Sequence, residues 1–170
     1  HRPHMTLTKT QRLILANQYR ILALLDSANA KSHERAQEAL ESGYESAIEN
    51  LFNPIFDGLD SHECGVVNRI MAMYEALQRS QAALGTDGGI RTEEVHFPGF
   101  DGNNETAYMS YARYIVEFEN RFTDLKPIGG SFNSHMPSLA RYRAMLGEWE
   151  VLGERYDLTE GEIRRLLDAR

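Results

Sequence analysis

Thiol chemistry is nearly missing from this chain: Cys64 is its one cysteine. No internal disulfide can form, and a lone thiol points to a reducing compartment, most simply a cytoplasm. Cations are also in short supply, 18 Lys and Arg against 25 Asp and Glu, for a net charge of −7. That deficit argues against direct nucleic-acid binding, which needs surplus cations for the phosphates. Long apolar runs are lacking too. The stretch Leu13–Leu25 is interrupted by Asn17, Gln18 and Arg20 and precedes no small-residue cleavage site. It falls short of the roughly 20 apolar residues that span a bilayer, so neither a signal peptide nor a membrane helix is expected.

What is present suits an ordinary soluble globule: 170 residues, 42% hydrophobic and 25% charged. A chain of this length buries roughly 70% of its unfolded surface and needs no disulfide or metal to fold. His1 to Met5 reads as a vector remnant ahead of a start at Met5, and its histidines stay outside any metal argument. Charge is unevenly placed. Residues 1–28 sum to +3 and residues 29–63 to −6, the solvated face of amphipathic helices.

Helical period dominates. Thr8-Lys-Thr-Gln11 has the form of a capping box and opens a helix running to about Leu25. Its apolar residues cover most of the circumference, so it is expected to be covered on several sides. A second helix spans about Lys31 to Ser42 and ends at Gly43; a shorter one spans Tyr44 to Phe52 and is closed by Asn53-Pro54. Asp60-Ser-His-Glu63 opens a long amphipathic helix through Val67, Ile70, Tyr74, Leu77 and Leu84. The turn cluster Gly85-Thr-Asp-Gly-Gly89 starts an irregular stretch, 85–104, in which Val95-His-Phe97 can form a short extended piece. A helix from about Glu105 to Phe122 carries the stripe Tyr108, Tyr111, Ile115, Phe118 and Phe122 and is expected to be core. After the loop Lys126-Pro-Ile-Gly-Gly130, a sixth helix runs from near Pro137 to Leu152. Thr159-Glu-Gly-Glu162 is another capping box and opens the last. The expectation is all-α: a compact bundle of six to seven helices with a loop or short extended segment near 85–104. Residues 6–170 are expected to form a single domain, with an N-terminal helical hairpin (6–58) as a candidate subdomain, and 85–104 is the one other candidate boundary.

Catalytic and metal patterns are incomplete. His62-Glu63 lacks the second histidine of a zinc helix, since Val66 stands in its place. Glu93-Glu-Val-His96 supplies one of the two carboxylate–histidine motifs that a di-iron bundle requires. Asp101-Gly-Asn103-Asn-Glu105 begins like a calcium loop but has Thr106 and Ala112 at the positions of its glycine and bidentate glutamate; Asp101, Asn103 or Asn104 is expected to cap the following helix instead. The glycines at 85, 88 and 89 have no following lysine, and Ser131 lacks the glycine of a nucleophile elbow. No metal and no cofactor is expected. Arg164 and Arg165 in the last helix are flanked by Glu160, Glu162 and Asp168, which would repel DNA. One constellation remains on the tyrosine-rich helix. Arg113 and Glu117 pair at i, i+4, while Glu119, near Ile115, Phe118 and Phe122, is expected to be partly buried and therefore partnered or raised in pKa.

Many residues in order carry a family resemblance: Gln11-Arg-Leu-Ile-Leu-Ala-Asn-Gln-Tyr19, Leu25-Asp-Ser-Ala-Asn-Ala30, Gly43-Tyr44, Met73-Tyr-Glu-Ala-Leu77, Phe97-Pro-Gly-Phe-Asp101, Tyr108 with Tyr111 and Arg113, Arg121-Phe122, and Phe132-Asn133 ahead of Trp149. From about Thr6 to its end the chain resembles the YfbU family of bacterial proteins. The resemblance implies an all-helical fold and supplies no catalytic or ligand-binding residue. Some larger relatives add a ribbon-helix-helix segment, which suits a regulatory or assembly role.

Two functional expectations follow. The first is a non-enzymatic cytoplasmic interaction or regulatory module that forms a homo-oligomer, most simply a dimer, and binds an unidentified protein partner. The second is an enzyme or small-ligand binder with a pocket near Tyr108, Tyr111, Arg113 and Glu119.

Overall fold

The computed structural model of the chain describes residues 6–85, 88–127 and 130–169. Residues 1–5, Thr86 and Asp87 of the turn cluster, Ile128 and Gly129 of the second loop, and Arg170 lie outside the described residues. Seven α-helices, three 3₁₀ segments and an isolated β-bridge between Phe100 and Asn133 make up the regular structure described, so the fold is all-α. None of the described helices is long and apolar enough to cross a membrane. The chain divides into two compact units, residues 1–57 and 58–170.

The first unit holds α1 (Lys9–Leu25), α2 (Ala30–Ser42) and α3 (Glu45–Leu51). The Thr8 hydroxyl accepts from the Gln11 amide at 3.2 Å while the Gln11 side chain accepts from the Thr8 amide at 2.9 Å, which completes the capping box. Asp26 ends α1, and its carboxylate accepts from Asn29 and meets His33, both at 3.0 Å. The chain then turns through one 3₁₀ segment into α2. Gly43 leaves α2 with φ 74°, where a side chain would also run into the Arg12 guanidinium. Small residues Ala16, Ala36 and Ala39 are buried where α1 and α2 pack together, and Leu40 and Ile48 fill out the core.

The covering expected around α1 is not there. Of its seventeen residues Ala16 alone is buried, whereas Leu24 is 81% and Leu25 79% exposed. A hairpin provides one packing partner, and a helix apolar on several faces leaves the others in water.

The second unit is built around α4 (Ser61–Leu84), against which α5 (Thr106–Glu117), α6 (Leu139–Val151) and α7 (Glu160–Asp168) all pack. Asp60 caps α4 by accepting from the Glu63 amide at 2.8 Å. Val67, Ile70, Met71, Met73, Tyr74, Ala76, Leu77 and Ser80 are buried along it, so the burial extends well round the helix. Segment 85–104 is no boundary. Ile90, Val95, Phe97 and Phe100 are buried in the core of this unit; of the extended piece expected at 95–97, Val95 ends a 3₁₀ turn (Thr92–Val95) and His96 is extended.

An aromatic cluster of Tyr74, Phe97, Phe100 and Tyr142 fills the centre, with ring centroids 5.1–6.0 Å apart. The Tyr142 hydroxyl donates to the Gly99 carbonyl at 2.6 Å, and burial raises its pKa. Gly99 has φ 88° and passes so close to the Phe132 carbonyl that no side chain fits. Two backbone bonds of 2.9 Å, Phe100 N–H to Phe132 and Ser134 N–H to Phe100, tie these segments together. Glu105, buried beside them, accepts from the Ser138 and Leu139 amides at 2.9 and 2.8 Å. The cap of α6 thus comes from 33 residues upstream in the chain.

Helix α5 stops five residues before the expected Phe122, because Asn120 and Phe122 both take φ 53°. Phe118, expected in the core, is the C-cap of α5 and is 74% exposed, its ring stacked on that of exposed Tyr114 with centroids 5.7 Å apart.

Candidate functional site

Tyr108 and Tyr111 lie on α5, one turn apart, and both reach α4. The Tyr108 hydroxyl donates to Glu63 Oε2 at 2.5 Å. From α6, Arg143 Nη2 donates to Glu63 Oε2 at 2.8 Å and to Oε1 at 3.1 Å. One turn further along α4, Asn68 Nδ2 donates to the Cys64 carbonyl at 2.9 Å and to the Tyr111 hydroxyl at 3.2 Å. Cys64 itself is half-buried, with Sγ 3.8 Å from the Leu59 carbonyl. Glu63 with Tyr108 and Arg143 therefore forms a polar cluster that joins α4, α5 and α6, and Asn68 with Tyr111 makes a second link between α4 and α5.

Its groups hold one another in their resting charge states. The hydrogen bond from Tyr108 holds the Glu63 carboxyl below its ordinary range, and Arg143 adds to this against the opposing effect of burial. The same hydrogen bond, with burial, raises the Tyr108 phenol. A general acid or base works best with a pKa near the operating pH. Here the carboxylate is fixed as an acceptor and the phenol as a donor, an arrangement that clasps helices.

Arg113 and Glu119 do not join it. Arg113 is exposed and stands 4.0 Å from Glu117, the i, i+4 pair expected from the spacing. Glu119 lies beyond the end of α5, exposed, and pairs with Arg121 at 3.3 Å. The partly buried carboxylate expected there is absent because the helix that was to bury it has ended. Glu63, Asn68 and Arg143 were missed. The fragment Asp60-Ser-His-Glu63 reads as a helix start, which it is, and the onward reach of the Glu63 side chain to α5 and α6 leaves no local signal.

The remaining polar motifs resolve into structure. Asp101 accepts from the Asn103 amide at 3.0 Å and from the Asn104 side chain at 2.5 Å, as a turn-capping carboxylate does. His62 is 83% exposed and 4.0 Å from Glu63. Among the described residues no group of three or more His, Cys, Asp or Glu side chains is placed to hold a metal ion. Arg164 pairs with Glu94 at 2.8 Å and Arg165 with Glu148 at 2.5 Å, so both arginines of the last helix have acidic partners. An open groove of about 860 Å³ runs past Gln78, Gln81, Ile90, Val95 and His96. Its glutamines donate to the Val95 and Ile90 carbonyls at 3.3 and 3.2 Å and so brace its own wall.

Apolar side chains also stand in water, most densely on one helix. Leu13, Ile14, Ile21, Leu22, Leu24 and Leu25 of α1 are all between 41% and 81% exposed. A family model described as the YfbU domain matches residues 5–169 of the chain.

Proposed function

The chain belongs to the YfbU family, and from that premise we propose that it is a non-enzymatic helical interaction module that self-associates through the outward face of α1. The observation that carries this reading is the row of six large apolar side chains standing in water on one helix. Monomeric proteins rarely expose a contiguous apolar patch beyond roughly 300–600 Å², and a symmetric dimer is the commonest way of covering one. The polar cluster around Glu63 supports the same reading from the other side. Its ionisable groups serve one another, and Arg113 and Glu119, which a ligand pocket in this region was to share with Tyr108 and Tyr111, stand apart from it. The net charge of −7 and the lone Cys64 suit a protein that binds protein in a reducing cytoplasm.

Light scattering on the full chain tests the proposal. A mass of two chains is expected at micromolar concentration. Ile21→Glu together with Leu24→Glu is expected to weaken association by at least about tenfold, since two charges must then be buried or the interface opened. A single-chain mass for the unaltered protein across the concentration range overturns it.

A further inference from the structure

The spacing on α1 says more than that the helix is sticky. Thr10, Ile14, Asn17, Ile21 and Leu24 follow one another at steps of four, three, four and three. This is the a/d alternation of a two-stranded coiled-coil seam, with Ile14 and Ile21 at a and Thr10, Asn17 and Leu24 at d. All five are exposed. The face turned inward is a separate one: Arg12, whose guanidinium donates to the Leu40 carbonyl at 3.2 Å, Ala16 and Tyr19. Leu13 and Leu25 flank the outward seam and widen it. Helix α1 thus carries two faces, one satisfied by α2 and one built like half of a helix pair.

Resting on the self-association proposed above, we infer that the occupant of this seam is α1 of a second copy, lying parallel and in register, with Asn17 meeting Asn17 of the partner subunit. Three considerations support this choice. The first is the position of the amide. In a parallel in-register pair each seam residue meets its own counterpart, so the two Asn17 side chains can hydrogen-bond to each other. In either antiparallel a-to-d register that overlaps these residues, Asn17 faces an isoleucine of the partner and its amide is buried unpaired, at a cost. The second is charge. Parallel pairing sets the flanking Arg20 beside Leu25 of the partner subunit and Leu13 beside Gln18 of the partner subunit, so no like charges are opposed. The third is area. Five side chains of the seam and its flanks, exposed at 53–81%, with the polar residues between them, present on the order of the 800 Å² per partner that a standard stable interface buries.

Cysteine cross-linking in the full chain, in a Cys64→Ser background, tests orientation separately from association. Ile14 and Leu24 are ten positions, about 15 Å, apart along the helix. In the parallel pair Ile14→Cys and Leu24→Cys each form a disulfide-linked dimer alone under mild oxidation, and a mixture of the two gives no mixed dimer. Cross-linking only in the mixture shows antiparallel packing; it overturns this inference and leaves the self-association standing. A two-chain mass with no cross-link in any sample excludes the parallel in-register pair and overturns this inference, and a single-chain mass overturns both readings. Asn17→Leu provides an independent readout. Removing the buried amide pair is expected to tighten association by about tenfold or more while loosening the register, so that cross-linking in the mixture appears for the first time. Unchanged affinity with that variant also overturns the inference.

Discussion

Helices α1 and α4 are both rich in large apolar residues, yet one has a single buried residue and the other eight. The difference lies in what the rest of each unit supplies. Three helices and the segment 90–100 surround α4, whereas α1 has one principal helical neighbour, α2, and turns Ala16, Leu15 and Tyr19 inward. Apolar content thus states how much surface a helix must hide, and the number of neighbours decides how much it does hide. The excess on α1 is what a second molecule can take up.

The largest expected effect tests that contrast directly. Trp149 is the chain's single tryptophan, buried in the second unit, so its fluorescence follows that unit's unfolding. Leu77→Ala on α4 is expected to destabilise it by about 2–5 kcal/mol, the range for a leucine truncated in a packed core. Leu24→Ala on α1 is expected to leave the same denaturant transition within about 0.5 kcal/mol. Equal shifts for the two would abolish the distinction between a buried and an open apolar helix.

A smaller loss sharpens the account of how the second unit is joined. Glu105→Ala removes one carboxylate that accepts from three backbone amides, those of Asp101, Ser138 and Leu139. We expect a loss of about 2–3 kcal/mol, because the amides are left without their acceptor in a largely buried setting. Hydrogen exchange at Ser138 and Leu139 is expected to accelerate. Unchanged exchange there shows that α6 is capped in another way.

The smallest effect is one of pH. Glu63, Glu94, Asp101 and Glu162 in the second unit all have carboxyls held below their ordinary range by hydrogen bonds and cations. A carboxyl lowered on folding contributes stability above its unfolded pKa, and that contribution disappears as pH falls through its folded value. Stability of the unit is expected to decline on acidification from about pH 5 downward. Glu63→Gln is expected to make that decline shallower, seen as a smaller drop in the Trp149-monitored midpoint between pH 5 and pH 3. A parallel decline in the variant excludes Glu63 from the acid response.

Local features were legible in the sequence. Thr8, Asp60 and Thr159 cap their helices as their spacing requires, because a cap and its target lie three residues apart. Gly43 ends α2 for a reason equally local. Long-range features were not legible. The cap on α6 comes from Glu105, and the end of α5 depends on two residues with positive φ, so the stripe that placed Phe118 in the core ran past the helix that was to carry it. The site divided in the same way. Tyr108 and Tyr111 were found on one helical face, whereas Glu63 and Arg143 join them from 45 and 35 residues away, across other helices. Glu119 was drawn in by a helical period that stops at Glu117.

The bridge between Phe100 and Asn133 also bears on the order in which the chain can assemble. It closes a loop that contains the whole of α5, and closure entropy grows with the logarithm of the loop's length. In the first unit α1 and α2 are joined by a turn of a few residues, so their contacts need almost no such search. Contacts between residues distant in sequence form more slowly than local ones. The hairpin with the open apolar face is therefore the part that can form early, while the centre of the second unit waits for its two ends to meet. The α1 face proposed for self-association thus lies in the part of the chain whose contacts need the shortest search.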